Sequence, residues 1–348
     1  MDAGKKVLIV AGESSGDLYG AQLVEAMASL APQVTFYGIG GSGMERRGVN
    51  LLFSSSELAV VGLTEVIEKI GHIWRAWKEM KRFIADQKPH LAILIDYPGF
   101  NLRLARVLKD NAVPILYYVS PQVWAWHAGR IKKIAQWVAK MAVILPFEVP
   151  IYQQAGVDVE FVGHPLLDIL DVNLSRDEAR RQLGVHPDAL LIGLLPGSRE
   201  REVRALLPPL VSAGKILNRE FPSCRFMLPL ASTVRRDLIQ NCTGKNQLSL
   251  EVVEGRTFEV MKAADLLLVV SGTATLETAL WGTPMVIVYR LAPLSYQVGK
   301  QLIRVNHIGM VNLLAEEGLF PELIQDQLTP EALAGEIHNL LSDPRLLS

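Results

Sequence analysis

Short, uninterrupted apolar runs that break off in small or strained turn residues constrain this chain more than any other feature. Val7 to Ala11 runs into Gly12-Glu-Ser-Ser-Gly-Asp17, Leu91 to Ile95 into Asp96-Tyr-Pro-Gly-Phe-Asn101, Leu190 to Leu195 into Pro-Gly-Ser-Arg199, and Leu266 to Val270 into Ser271-Gly-Thr273. An antiparallel strand with one wet face alternates apolar and polar residues, whereas these runs do not, so they predict parallel strands covered on both faces. Further runs at Val34 to Gly38, Phe83 to Asp86, Ile115 to Val119, Met141 to Leu145, Val159 to Val162, Cys224 to Pro229, Leu248 to Val252 and Pro284 to Tyr289 alternate with helical patterns. The helical patterns lie at Ala21 to Leu30, Leu102 to Asp110, Ala205 to Asn218, Phe258 to Ala264 and Thr275 to Leu280. Alternation of this kind predicts an α/β fold with helices on both faces of each sheet. The pattern breaks near Gly163-His-Pro-Leu-Leu-Asp168 and restarts at Leu190, and 348 residues exceed one ordinary core. Two doubly wound domains, 1–168 and 189–348, joined by a linker at 169–188, are therefore expected.

Charge and cysteine use narrow the function. A net charge of -1 supplies no field for holding a phosphate backbone, which argues against nucleic acid as a partner. The two cysteines lack metal-ligand spacing and a disulfide framework, so they read as small apolar residues in a reducing compartment such as the cytoplasm. The apolar run after Lys5-Lys6 is too short for a signal peptide, and the uncharged run Ala112 to Gly129 carries two prolines, which a membrane-spanning helix tolerates poorly.

Ligands of open α/β sheets bind at the carboxyl ends of the strands, where the four turns fall. After Ser271, Gly272 and Thr273 the backbone enters a helix whose first N–H groups and dipole favour a phosphate. Thr275 lies in that helix. Glu277, five residues past Gly272, can accept from hydroxyls of a ligand whose phosphates sit at the helix start, which together describe a nucleotide. The alternative is an ordinary N-cap at Ser271 or Thr273 with Glu277 complementing the dipole. Asp96 ends a strand and is placed for a general base, or for an Asx turn before Pro98-Gly99. Arg199, after Gly197 and Ser198, is placed to grip phosphate or to pair with Glu202 on the helix surface. No turn is a G-x-G-x-x-G or a P-loop, and no Asp-x-Asp or metal-spaced cluster occurs. No metal or other cofactor is expected, and a leaving diphosphate would be stabilised by protein groups.

These blocks, with Tyr118-Val-Ser-Pro-Gln-Val-Trp-Ala-Trp126, Phe161-Val-Gly-His-Pro-Leu166 and Asn312-Leu-Leu-Ala315, resemble the lipid-A-disaccharide synthase family over nearly the whole chain. The resemblance implies a GT-B glycosyltransferase with two Rossmann-like domains facing across a cleft. The expected substrates are UDP-2,3-diacylglucosamine as donor and 2,3-diacylglucosamine 1-phosphate as acceptor, joined β-1,6 with release of UDP. It also implies Asp96 as base and Arg199, Glu277, Asn312 and Gln325 at the donor. Gly12, Ser14, Ser15 and Gly16 would form the acceptor side, with Trp124 and Trp126 stacking on sugar or acyl chain, or simply packing. The family is expected to continue past Asp343-Pro-Arg345 into a last helix that packs back on the N-terminal domain, and a homodimer stays open. Rival readings are a GT-B peptidoglycan-precursor transferase or 2-epimerase acting on UDP-N-acetylglucosamine, or a silent nucleotide-sugar-binding protein.

Substrates with acyl chains imply a membrane surface, here the inner face of the inner membrane. Val66, Ile67, Ile70, Ile73, Trp74 and Trp77 recur at helical spacing, and between Glu68 and Arg82 five basic residues outnumber two acidic ones. A basic amphipathic helix carrying Trp suits docking on anionic lipid, while the alternative is that its apolar face packs on the sheet.

Overall fold

The computed structural model describes residues 4–57, 63–121, 129–170, 173–231, 233–244, 248–291, 296 and 307–342, and of 63–70 the backbone only. The chain divides into two compact units, Met1–Ile169 and Leu170–Ser348. Among the described residues the first holds seven strands: β1 (Lys6–Ala11), β2 (Thr35–Gly40), β3 (Asn50–Ser54), β4 (Leu91–Ile95), β5 (Ile115–Tyr118), β6 (Lys140–Val143) and β7 (Val159–Phe161), in the order β3-β2-β1-β4-β5-β6-β7. The second holds β8 (Leu191–Leu195), β9 (Arg225–Leu230), β10 (Leu250–Glu254), β11 (Leu266–Val270), β12 (Met285–Tyr289) and β13 (Glu322–Ile324), in the order β10-β9-β8-β11-β12-β13. Every pairing is parallel.

The continuous apolar runs follow from burial on both faces. Along β11, Leu266, Leu268 and Val270 enter one core with Val203, Leu207 and Leu210 of the helix Glu200–Glu220, while Leu267 and Val269 enter the opposite core with Val260 and Met261. Each such buried Leu or Val contributes about 1.5–3 kcal/mol, so neither face tolerates a polar residue. In the first unit, Leu8, Val10, Ala92 and Leu94 share a core with Met80 and Ile84 of the helix Leu63–Gln87 and Leu104 and Leu108 of the helix Pro98–Asp110.

Several sequence expectations are corrected. Phe83 to Asp86 belongs to the helix Leu63–Gln87, with Phe83 and Ile84 buried in the core. The edge strands β3 and β13 are partly exposed and carry only short apolar stretches, Leu51 to Phe53 and Leu323-Ile324. The stretch expected to link the units is not an open tether, because Arg176–Gln182 forms a helix capped by the Ser175 hydroxyl, which accepts from the Glu178 N–H at 3.1 Å. Within it Arg180 is buried in the second unit, donating to the Ala263 and Ala189 carbonyls at 3.0 Å and to the Asp265 carboxylate at 2.7 Å. The stripe on the helix Leu63–Gln87 is also divided. Ile73 and Trp77 pack against the core, whereas Trp74 is 61% exposed with the Lys78 ammonium 5.5 Å over its ring. The side chains of Val66, Ile67 and Ile70 lie outside the described residues.

Candidate functional site

In both sheets the strand order reverses beside the first strand of the unit, between β1 and β4 and between β8 and β11, the position at whose carboxyl ends open α/β sheets take ligands. The four turns of interest leave these four strands, so topology alone gathers them in pairs.

In the first unit, β1 gives way at Gly12 to the helix Ser14–Leu30, with Glu13 at its N-cap and Ser14 exposed, Ser15 partly so. Gly12 and Gly16 are tightly packed: a Cβ on Gly12 would overlap the Tyr97 ring, and one on Gly16 would come 3.2 Å from the Ala11 Cβ. Asp17, at the end of the same motif, is engaged by backbone of its own unit. Its carboxylate accepts from the N–H groups of Gly41 (2.7 Å), Gly43 (2.9 Å) and Met44 (3.0 Å), capping the short helix Ser42–Arg46. Asp96 follows β4 with φ 42°, in the left-handed region, and so does Tyr97 with φ 45°. Asp and Asn adopt this conformation more readily than most residues, but Tyr does not. His164 in the Gly-His-Pro motif accepts from the Leu166 N–H at 3.2 Å and meets the Tyr19 ring edge-on. Burial pushes its imidazole down to about 4, so it stays neutral. Trp124 and Trp126 lie outside the described residues.

In the second unit, Gly197 takes φ 117°, and a Cβ there would overlap the Glu202 carboxylate, which folds back under the turn. Arg199 donates to Glu202 at 2.7 Å, and the Thr233 hydroxyl donates to the Ser198 carbonyl at 2.5 Å. The ion pair weighed from the sequence therefore exists, and it holds the Arg199 guanidinium about 34% exposed at the edge of the sheet. After β11, the helix Thr273–Leu280 starts at Gly272 with no side-chain cap. The Ser271 hydroxyl donates instead to the Ile308 carbonyl at 2.7 Å, and the Thr275 hydroxyl to the Gly272 carbonyl at 2.8 Å. Among the described residues neither Ser271 nor Thr273 caps this helix with its side chain, as the N-cap alternative would have it, and the Thr275 N–H is met by the Gly272 carbonyl at 3.1 Å. One turn on, Glu277 has no partner among the described residues, and burial pushes its carboxyl up to about 7. A carboxylate in such a place gains most from ligand hydroxyls.

Asn312 and Gln325 are placed differently from a ligand contact. Asn312 is fully buried, donates to the Phe320 carbonyl and the Glu322 carboxylate at 2.8 Å, and accepts from the Phe320 N–H at 3.1 Å. Glu322 in turn accepts from the N–H groups of Ile308 (2.9 Å) and Gly309 (3.0 Å), fixing the loop that Ser271 holds. Gln325, at φ 54°, pairs with the backbone of Leu291 at 3.3 Å. Both residues brace neighbouring backbone of the second unit. Glu322 was missed in the sequence because its role depends on strand β13, which carries only a short apolar stretch. A hollow of about 540 Å³ at the opposite, amino edge of this sheet is lined by Arg176, Lys262, Asp265 and Trp281. It is not the better candidate despite its size, since Asp265 is already taken by Arg176, Arg180 and the Leu191 amide.

The family model described as lipid-A-disaccharide synthetase matches residues 7–345. A lipid-A-disaccharide synthase of Trichlorobacter lovleyi is 49% identical over 97% of this chain and 88% of its own, and one of Coxiella burnetii is 42% identical over 97% and 89%. Among solved structures, a UDP-GlcNAc 2-epimerase from Neisseria meningitidis bound to UDP-GlcNAc superposes with a TM-score of 0.67 at 11% identity, covering 98% of this chain and 93% of that one. An S. aureus MnaA–UDP complex gives 0.68 at 12% identity, covering 99% and 89%. At such identities these two likenesses speak for the fold alone, and the fold is GT-B.

Proposed function

The chain belongs to the lipid-A-disaccharide synthase family, and from that premise we propose how its own residues make the lipid A disaccharide. The activity is that of a hexosyltransferase. The donor is UDP-2,3-diacylglucosamine and the acceptor 2,3-diacylglucosamine 1-phosphate. Asp96 takes the proton from the acceptor 6-hydroxyl as its oxygen attacks C1 of the donor, the bond from C1 to the diphosphate breaks, and UDP leaves with inversion. The uncapped amides at Thr273 and the Arg199 guanidinium stabilise the charge that develops on the leaving diphosphate. Glu277 accepts from the hydroxyls of the nucleotide.

One observation carries this reading. The helix start at Gly272 has no side-chain cap, and one turn away stands a buried carboxyl without a partner among the described residues. Anion and diol acceptors a helical turn apart are what a nucleotide diphosphate requires.

The substrates are amphiphiles whose chains would meet water at about 0.8 kcal/mol per CH₂ if drawn out of a bilayer. Work at an anionic membrane surface is therefore part of the proposal. Trp74 on the exposed side of its helix, among Arg75, Lys78, Lys81 and Arg82, supports it. Among the described residues no helix is long and apolar enough to cross a membrane. The test is UDP release measured with diacylated and with unacylated donor in the presence of acceptor. Turnover confined to the diacylated pair is expected, whereas equal turnover of UDP-N-acetylglucosamine would point to one of the rival GT-B enzymes.

A further inference from the structure

Three residues with side chains sit in the left-handed region at the ends of two paired strands: Asp96 and Tyr97 after β4, and Val119 after β5 with φ 62°. A β-branched residue there is a true outlier, and such conformations persist only where the surroundings over-determine them. The surroundings here do so from both sides. Inside, the Tyr117 hydroxyl donates to the Asp96 carbonyl at 2.6 Å, and the Asn101 amide donates to the carbonyls of Asp96 at 2.8 Å and Ile95 at 3.1 Å. The Asp96 N–H itself lies 3.2 Å from the carbonyls of both Tyr118 and Val119. Tyr117 and Asn101 are fully buried, and burial holds the phenol so far above its ordinary range that it remains a donor. Among the described residues the Asn101 Oδ1 has no hydrogen-bond partner, so its amide is oriented by the backbone carbonyls it donates to. Outside, the Tyr97 ring lies where a Gly12 side chain would be and stacks on Phe100 at 6.0 Å, which meets Trp77 edge-on at 5.8 Å.

A strand can be ended by Pro98-Gly99 without any of this, so two buried side chains converging on one carbonyl exceed what a turn needs. We propose that Asn101, Tyr117 and the Gly12–Tyr97 contact are positioning elements that hold the Asp96 backbone in the one conformation that aims its carboxylate at the acceptor hydroxyl. None of them touches the reacting atoms. The inference rests on the reading of Asp96 as base. Relaxing residues 96 and 97 into the right-handed region would redirect the Asp96 side chain, and a misplacement of about 1 Å at such a group costs about 10²-fold in rate.

The test is a double-mutant cycle on the full chain, followed by UDP release at saturating donor and acceptor, with thermal melting as the folding control. Tyr117→Phe removes one oxygen and adds no volume, and is expected to lower kcat about tenfold while the donor KM stays within about twofold of wild type. Asn101→Ala is expected to lower kcat about 10²-fold in the same manner. In an Asp96→Asn background neither change should lower kcat further, because nothing is left to aim. A folded Tyr117→Phe protein with wild-type kcat, or losses that multiply in full in the Asp96→Asn background, overturns the proposal. Near-normal turnover by Asp96→Asn alone is a different result, one that retires the base itself. Should Tyr117→Phe and Asn101→Ala both fail to fold, Gly12→Ala leaves the Tyr117 and Asn101 donors in place and displaces the Tyr97 ring. It runs the same cycle with the same two outcomes.

Discussion

The two units place their working turns at the same topological position, yet build them in opposite ways. In the first, the turn after β4 is closed by hydrogen bonds: buried donors saturate the carbonyls around Asp96, and two successive residues are held at positive φ. In the second, the turn after β11 is left open, with a helix start that no side chain caps and a carboxyl at Glu277 with no partner among the described residues. The difference fits the tasks proposed for the two turns. A general base works through its direction, which rigidity protects, whereas a ligand seat works through unsatisfied groups that only the ligand completes. Parallel sheets with the same strand order thus serve binding or catalysis according to which hydrogen bonds their turns leave unmade.

The largest expected effect falls on the closed turn. Asp96→Asn should lower kcat by about 10²- to 10⁴-fold while donor binding, measured by calorimetry, stays near wild type. A loss of donor affinity instead would move Asp96 to the open, binding side of the comparison. Next is Arg199→Ala, which removes a charge facing the leaving group and should cost about 3 to 4 kcal/mol of barrier. The Arg199–Glu202 pair is partly exposed, so the melting temperature should hardly move. A drop in melting temperature matching the drop in rate would return Arg199 to a purely structural role.

A smaller, pH-dependent effect belongs to the open turn. Burial raises the Glu277 carboxyl to about 7, so between its ordinary value and that pH the folded chain keeps a proton that the unfolded chain has lost. The stability this group contributes is therefore present in acid and fades as pH rises through about 7. Ligand hydroxyls favour the ionised form, so affinity for the donor should rise across the same range with release of one proton. Calorimetry in buffers of different ionisation enthalpy reads that proton directly. The donor's diphosphate diester does not titrate there, and Glu277→Gln should abolish the dependence and raise the melting temperature more at pH 8 than at pH 5. A pH-independent wild-type affinity would show that Glu277 does not face the ligand. The smallest effect is expected at the surface. Ile67→Ser, Ile70→Ser and Trp74→Ser together should weaken binding to anionic vesicles about tenfold and leave the fold intact. Unfolding of this triple variant, with the wild-type segment as protected from hydrogen exchange as the central strands, would assign the whole stripe to the core.

The sequence by itself determined the two parallel sheets, the places of nearly all their strands along the chain and the four turns at their carboxyl ends, whereas the order of the strands within each sheet came from the structure. Those features are written in consecutive residues: an apolar run long enough for a strand and a turn residue that stops it. It also carried the family, since the matching blocks extend along nearly the whole chain. Only the tertiary structure decided what the polar side chains do. The Ser271 and Thr275 hydroxyls bond to backbone carbonyls, Asn312 and Gln325 brace neighbouring backbone, and Asp17 caps a helix two elements away. The strands β3 and β13, the buried Arg180 and the bracing Glu322 were hidden for the same cause. A run of apolar residues is buried wherever its own length and neighbours put it, but a polar group's role depends on which donor or acceptor a distant segment brings within 3 Å, and that pairing exists only once the chain has folded.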